Sequence, residues 1–125
     1  MHAERHILKL TTDADGAATG YTPPVSGRVL EIHYVKPAAD GFEDGVGFTI
    51  TAEATGENLW VESPVNASTV RRPRAPTHAS TGTPSLYAAL GEPVENAIAL
   101  ANDRVKIVID TGGDKKSGTF HVVVG

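Results

Sequence analysis

Apolar and polar residues alternate with a period of two in several short runs of this 125-residue chain. Such alternation places every second side chain on one face of an extended strand, so each run predicts a strand with one buried face. The clearest runs are residues 104–110 and 118–124. The same pattern predicts strands at residues 4–12, 17–22, 28–36, 47–52 and 58–62.

Glycine-rich turns separate these runs and favour antiparallel pairing. Asp13-Ala14-Asp15-Gly16 predicts a hairpin between the first two strands, and residues 111–117 predict a hairpin at the C-terminus. In residues 28–36, strict alternation places Leu30, Ile32 and Tyr34 on one face. Seven or eight strands predict an all-β fold, a single antiparallel β-sandwich over residues 1–125, with jelly-roll or immunoglobulin-like connectivity left open.

Residues 63–96 interrupt this pattern. Five of the eight prolines lie there: Pro64, Pro73, Pro76, Pro84 and Pro93. Proline lacks a backbone donor and restricts the preceding residue, so regular structure is not expected to run through the segment. The sequence predicts a long arm inserted between strands of one domain, with one short helical turn at residues 85–90 that Ser85 would cap and Gly91 would end.

Composition narrows the class of protein. The chain has no cysteine, so disulfides and thiolate chemistry are excluded, and its formal net charge of −4 argues against a general nucleic-acid binder. Its N-terminus is polar and no run approaches the roughly 20 apolar residues of a membrane span, so we expect synthesis in a cytosol, followed by retention there or release by lysis.

The arginine cluster of the arm is the strongest chemical signal. Arg71, Arg72 and Arg74 surround Pro73, and Pro76 follows. Three guanidiniums on a proline-stiffened backbone are expected to point outward, toward carboxylates of a protein neighbour or phosphates of a nucleic acid. Few aromatic residues lie nearby for base stacking, so the protein neighbour is preferred and direct nucleic-acid contact is not expected. The alternative without a function is a solvated loop.

Other candidate sites do not assemble into known motifs. The five histidines have no ligand-like spacing, the Asp13-x-Asp15-Gly16 turn lacks the later ligands of a calcium loop, and the acidic loop 40–44 is interpreted as solvated. No G-x-S-x-G occurs, and the lysines near Gly112-Gly113 lack the helix of a phosphate-binding loop. No catalytic residue, cofactor or metal is predicted.

Five segments together resemble a known family. They are TTDADGAA at residues 11–18, FTITAEATGE at 48–57, RPRAPTH at 72–78, DRVKIVI at 103–109 and SGTFHVVV at 117–124. In overall pattern they are similar to small structural proteins of tailed bacteriophages and related prophages.

The resemblance implies a non-enzymatic virion component, made in the cytoplasm of the bacterial host. It implies foremost a capsid decoration or cement protein on the outer shell, which binds the major capsid protein and itself as a homo-oligomer, with a trimer as one form. The alternative is a head fibre, connector or tail module that binds carbohydrate or a receptor through Trp60, Tyr21, Tyr34 or Tyr87.

Overall fold

Ten strands form the body of the protein. The computed structural model describes residues 2–125, so Met1 of the predicted domain lies outside the described residues. The strands are β1 (Glu4–Thr11), β2 (Ala18–Tyr21), β3 (Val25–Val35), β4 (Gly47–Ala52), β5 (Asn58–Glu62), β6 (Thr69–Arg71), β7 (Arg74–Pro76), β8 (Glu95–Asp103), β9 (Val105–Asp110) and β10 (Ser117–Val124).

These strands make two antiparallel sheets. The first sheet has the order β1-β10-β3-β8-β7, and β6 pairs with the C-terminal half of β3; the second has the order β2-β9-β4-β5. The inner faces of both sheets share one core of buried side chains. The predicted all-β fold and β-sandwich are confirmed. No helix within residues 2–125 is long and apolar enough to cross a membrane.

A cluster of aromatic rings joins the two sheets at the centre of the core. The Tyr34 ring of β3 lies 4.8 Å from Phe48 of β4, 5.4 Å from Phe120 of β10 and 5.9 Å from Phe42, measured between ring centroids. Phe48 meets Trp60 of β5 edge-on at 5.3 Å. Offset and edge-on ring pairs add stabilisation beyond their buried area, so this cluster fixes how the sheets stack.

Gly118 makes room for the cluster. A Cβ atom at this position of β10 would lie 2.6 Å from a Phe42 ring carbon and 2.8 Å from a Tyr34 ring carbon. Neither ring can move away without disturbing its neighbours in the close-packed core. The glycine is therefore a packing requirement of β10.

Both predicted hairpins are wrong. β1 and β2 lie in different sheets, and so do β9 and β10, so the loops at residues 12–17 and 111–116 cross from one sheet to the other. The loops bind each other instead: the Thr12 amide donates to the Lys116 carbonyl at 2.8 Å and the Gly112 amide to the Gly16 carbonyl at 2.9 Å. Turn residues alone could not reveal this pairing, because the same chemistry serves hairpins and crossings.

The predicted alternation in β3 is wrong at its N-terminal half. Val29 is fully buried and Leu30 only partly so, whereas Ile32 and Tyr34 face the core as expected. The register between β3 and β10 shifts by one residue here, with Val123 opposite Glu31 and Val124 opposite Val29. A β-bulge of this kind moves the residues before it to the other face.

Replacement of Tyr34 by phenylalanine tests whether the buried hydroxyl of Tyr34 destabilises the core. The Tyr34 hydroxyl is buried without a hydrogen-bond partner among the described residues, and burial raises its pKa to about 12. We expect Tyr34→Phe to raise the free energy of unfolding by about 1 kcal/mol in urea titrations, because it removes an unsatisfied polar group. Phe120→Ala, which empties the same cluster, should lower it by about 3–5 kcal/mol. A loss of stability in Tyr34→Phe would contradict this account.

Candidate functional site

Part of the predicted arm, residues 63–96, is regular structure, since it contains β6, β7 and the start of β8. The segment that leaves the first sheet is residues 77–94, between β7 and β8, and from here on we restrict the name arm to it. Three of its segments meet at Thr77: the Thr77 amide donates to the Val94 carbonyl at 2.7 Å, and the Ser85 amide donates to the Thr77 carbonyl at 3.0 Å. The Val94 amide in turn donates to the Ser85 carbonyl at 2.9 Å. These bonds continue the β7–β8 ladder into a junction from which two separate turns project.

The first turn is polar. The Ala79 amide donates to the Thr83 carbonyl at 2.9 Å and the Gly82 amide to the Ala79 carbonyl at 2.8 Å. Gly82 has φ of 88°, a left-handed conformation that glycine adopts readily. Residues 79–83 are all exposed. We name them the polar turn.

The second turn is apolar. The Tyr87 amide donates to the Glu92 carbonyl at 3.1 Å and the Gly91 amide to the Ala88 carbonyl at 2.8 Å, so residues 87–92 form a closed loop. The predicted helical turn at residues 85–90 is therefore wrong, and Leu90 has φ of 61°. Residues 86–90, which we name the apolar tip, read Leu-Tyr-Ala-Ala-Leu and are all exposed.

Among the described residues, the apolar tip carries the two large hydrophobic side chains with the highest exposed fractions. Leu90 is 101% exposed and Tyr87 76% exposed. A left-handed conformation is also unfavourable for leucine by about 1–2 kcal/mol. Strained residues of this kind concentrate at ligand and partner contacts, so both observations identify the tip as a candidate docking element.

An open depression adjoins the tip. Arg74, Tyr87, Glu92, Pro93 and Glu95 line this space of about 600 Å³. Two carboxylates and one guanidinium therefore lie beside the exposed Tyr87 ring. The depression has acidic and aromatic character, and no group of three potential metal ligands occurs within residues 2–125.

Arg71 does not point away from the body as predicted. Its Nε and Nη2 atoms donate to the two carboxylate oxygens of Glu62 at 2.8 and 2.9 Å, and its guanidinium lies 5.5 Å from the centroid of the Trp60 ring. The indole Nε1 of Trp60 donates to the same carboxylate at 3.0 Å. Arg71 lies opposite Ile32 in the first sheet and Glu62 opposite Phe48 in the second, so both start from inward-facing positions. The pair thus closes the side of the sandwich between β6 and β5.

The other predicted contact residues divide into two groups. Arg72 is exposed as predicted, and its guanidinium makes an ion pair with Glu31 of β3 at 3.2 Å. Arg74 and Pro76 are exposed on β7, whereas Pro73 is buried and is not available for the predicted contact. The five residues are neighbours in the chain, but Arg71 and Pro73 face the body and the other three are exposed.

A second arginine pair lies at the opposite edge of the second sheet. Arg104 donates to both carboxylate oxygens of Glu53, and its guanidinium lies 4.1 Å from the centroid of the Tyr21 ring. The hydrogen bond from Arg104 holds the pKa of the Glu53 carboxyl below its usual range. The resemblance alternative had offered Tyr21 and Trp60 as sugar platforms. Arg104 covers Tyr21, and Trp60 is buried.

The remaining polar candidates serve local structure. The Asp13 carboxylate accepts the amides of Asp15 and Ala17 at 2.9 and 3.1 Å, which fixes its turn. Asp40 and Asp44 each lie 3.8 Å from a lysine ammonium, at Lys116 and Lys36. His33 and His121 lie directly opposite each other on the solvent face of β3 and β10.

Comparisons with known proteins add little to this geometry. No family model matches the chain, and no curated protein sequence is significantly similar to it. Among solved structures, the crystal structure of FLHE is similar over 99% of this chain and 98% of that chain, with 9% identity and a TM-score of 0.48. A likeness at this level carries no argument about function.

Replacement of Arg71 by methionine tests its structural role. We expect Arg71→Met to lower the free energy of unfolding at pH 7 by about 1 kcal/mol, because it removes a bidentate pair and a cation–π contact that are partly exposed. Arg74→Met, at an exposed position, is the matched control and should change it by less than about 0.5 kcal/mol. Equal effects of the two variants would contradict the structural role.

The same variant should show a defined pH dependence. Hydrogen bonds from Arg71, and secondarily from Trp60, hold the pKa of Glu62 below its usual range in the folded protein. The stabilisation is therefore complete above the unfolded pKa of about 4.3 and is lost as pH falls through the lowered folded pKa. In urea titrations the difference between wild type and Arg71→Met should shrink below about pH 4.

Proposed function

We propose that this protein is a non-enzymatic structural component of a phage virion, a decoration protein that binds the major capsid protein on the outer shell. The sequence resemblance motivates this role. The observation that supports it most is the apolar tip, which the chain holds in solvent by backbone hydrogen bonds of its own turn. The arm is the docking element, and its apolar tip replaces the arginine cluster as the main contact.

The physical properties of the tip suit such contacts. Burial of a large apolar side chain contributes about 1.5–3 kcal/mol, and the tip presents Leu86, Tyr87 and Leu90 together. The hydrogen-bonded junction at Thr77 lowers the entropy that docking would otherwise cost. In a homo-oligomer several tips are linked, so their weak single contacts with the repeated sites of a shell sum through multivalency.

The charge distribution favours a protein partner over nucleic acid. Arg71 and Arg72 are paired with Glu62 and Glu31, so they offer little net positive charge to phosphates. The formal net charge of the chain is −4. Binding driven by phosphate neutralisation needs several free cations on one face. The virion surface, reached after synthesis in the bacterial cytoplasm, is the location proposed with this function.

Removal of the arm tests the proposal. Because Thr77 and Val94 are hydrogen-bonded neighbours, residues 78–93 can be replaced by Asn-Gly, which favours a two-residue hairpin turn and should leave the sandwich folded. We expect this variant to lose co-sedimentation with capsids that lack the protein. Leu86→Ser/Leu90→Ser should weaken binding about tenfold or more, whereas Thr81→Ala in the polar turn should not.

Retention of capsid binding by the folded armless variant would reject the arm as the docking element. If wild-type protein does not bind such capsids at all, the decoration role itself is rejected.

Carbohydrate or receptor binding is the second candidate. Among its predicted aromatic residues, Tyr87 alone combines high exposure with a depression, which Glu92 and Glu95 also line. Acidic groups beside an exposed ring are a common sugar-binding arrangement, since the ring stacks on the sugar and carboxylates accept its hydroxyls. Binding on a glycan array that is lost in Tyr87→Ala, without capsid binding by wild type, would favour this candidate.

A further inference from the structure

The solvent face of the first sheet carries an apolar patch. Ile7 of β1 lies opposite His121 of β10, which lies opposite His33 of β3, and His33 lies opposite Val70 of β6. Val35 and Val123 lie on the same face, two residues beyond His33 on β3 and two residues beyond His121 on β10. Ile7 is 63% exposed and Val35 45% exposed. We name Ile7, Val35, Val70 and Val123 the outer patch.

Two exposed cations lie on the β1 side of the outer patch. Arg5 and Lys9 flank Ile7 on β1 and are both exposed. Across the strands, Arg5 of β1 lies opposite Val123 of β10, and Val123 lies opposite Glu31 of β3, which pairs with Arg72. The Glu31 carboxylate is already engaged by Arg72 at 3.2 Å and by the imidazole of His33 at 3.5 Å. The patch therefore consists of apolar side chains around His121 and His33, with a basic rim on its β1 side.

The apolar tip has the complementary design. Its centre consists of Leu86, Tyr87 and Leu90, and Glu92 and Glu95 lie beside it with Arg74 as the one nearby cation. Interfaces combine apolar centres with rims of opposite charge, which select the partner and its orientation. The exposed apolar side chains of the tip and of the outer patch match each other, and so do the opposite charges beside them.

We infer that the apolar tip of one copy of this chain docks on the outer patch of a second copy. Leu86, Tyr87 and Leu90 cover Ile7 and its apolar neighbours, and the carboxylates beside the tip face Arg5 and Lys9. The inference rests on the proposed function in taking the arm as the docking element. Each copy has one tip and one patch, so every contact pairs unlike surfaces, an arrangement that we call head-to-tail; it can close reciprocally between two copies or continue to a third.

Symmetric alternatives are disfavoured by charge. A tip-to-tip contact would bring Glu92 and Glu95 of both copies together, and a patch-to-patch contact would bring Arg5 and Lys9 of both copies together. Like charges across an interface cost free energy and select against such pairings. The contact is also small, so association is expected to be weak in dilute solution.

Mixing of two complementary variants tests the inference. The tip variant is Leu86→Ser/Leu90→Ser, and the patch variant is Ile7→Glu/Val35→Glu, which places new carboxylates against those of the tip. By sedimentation equilibrium, wild type should associate, and each variant alone should associate at least about tenfold more weakly. An equimolar mixture should form a dimer and stop there, because one intact tip and one intact patch remain.

Several outcomes would overturn the inference. Wild type that stays monomeric at the highest soluble concentration, or a mixture that stays monomeric while each variant keeps its wild-type circular dichroism, contradicts it. If either variant fails to fold, charge exchange replaces it: Glu92→Arg/Glu95→Arg should weaken association, and Arg5→Glu/Lys9→Glu in the partner copy should restore it. Absence of that restoration rejects the pairing.

The two proposals can fail separately. Self-association without capsid binding leaves the head-to-tail contact standing and rejects the decoration role. Capsid binding by a protein that remains monomeric rejects the head-to-tail contact alone.

Discussion

The paired charges of Arg71 and Glu62 decide how the proline-rich segment relates to the sandwich. Both residues occupy inward-facing positions at sheet edges, where charge would be costly without a partner. Their bidentate contact beside the Trp60 ring satisfies both groups and covers the open side of the core. This pairing joins β6 to β5 while the backbone ladder joins β6 to β3, and the chain that follows continues on the first sheet as β7. The arm then leaves the body from an ordered root.

An ordered root changes what the arm can do. Its two turns are closed by backbone hydrogen bonds, and the junction at Thr77 joins three segments without any help from the core. The apolar tip is thus displayed in solvent on a defined support, whereas a flexible loop would bury or disperse such side chains. The outer patch lies on the face of the same sheet, and its basic rim complements the carboxylates beside the tip. Each molecule therefore carries both halves of the contact that we propose.

Period-two alternation located most strands of the sandwich, because a strand with one buried face has alternating apolar and polar residues. Residues 104–110 and 118–124 are strands β9 and β10 nearly as expected. The pairing of strands was not predictable from turns, since Asp13–Gly16 and Gly112–Gly113 serve crossings between the sheets. Strands β6 and β7 were missed because proline argues against regular structure, although short edge strands can contain it. Arg71 faces inward at the end of β6, whereas Arg72, just beyond it, is exposed. The apolar tip was mistaken for a helical turn; its signal was a run of apolar residues enclosed by Pro84 and Pro93.

Hydrogen exchange of the isolated protein tests most directly whether the arm is ordered before it meets a partner. We expect the amides of Thr77, Ser85 and Val94, which donate to carbonyls within the arm, to exchange much more slowly than those of exposed residues in the polar turn. Exchange of all three at the rate of an unstructured chain would contradict the account, because the tip would then be displayed on a disordered loop.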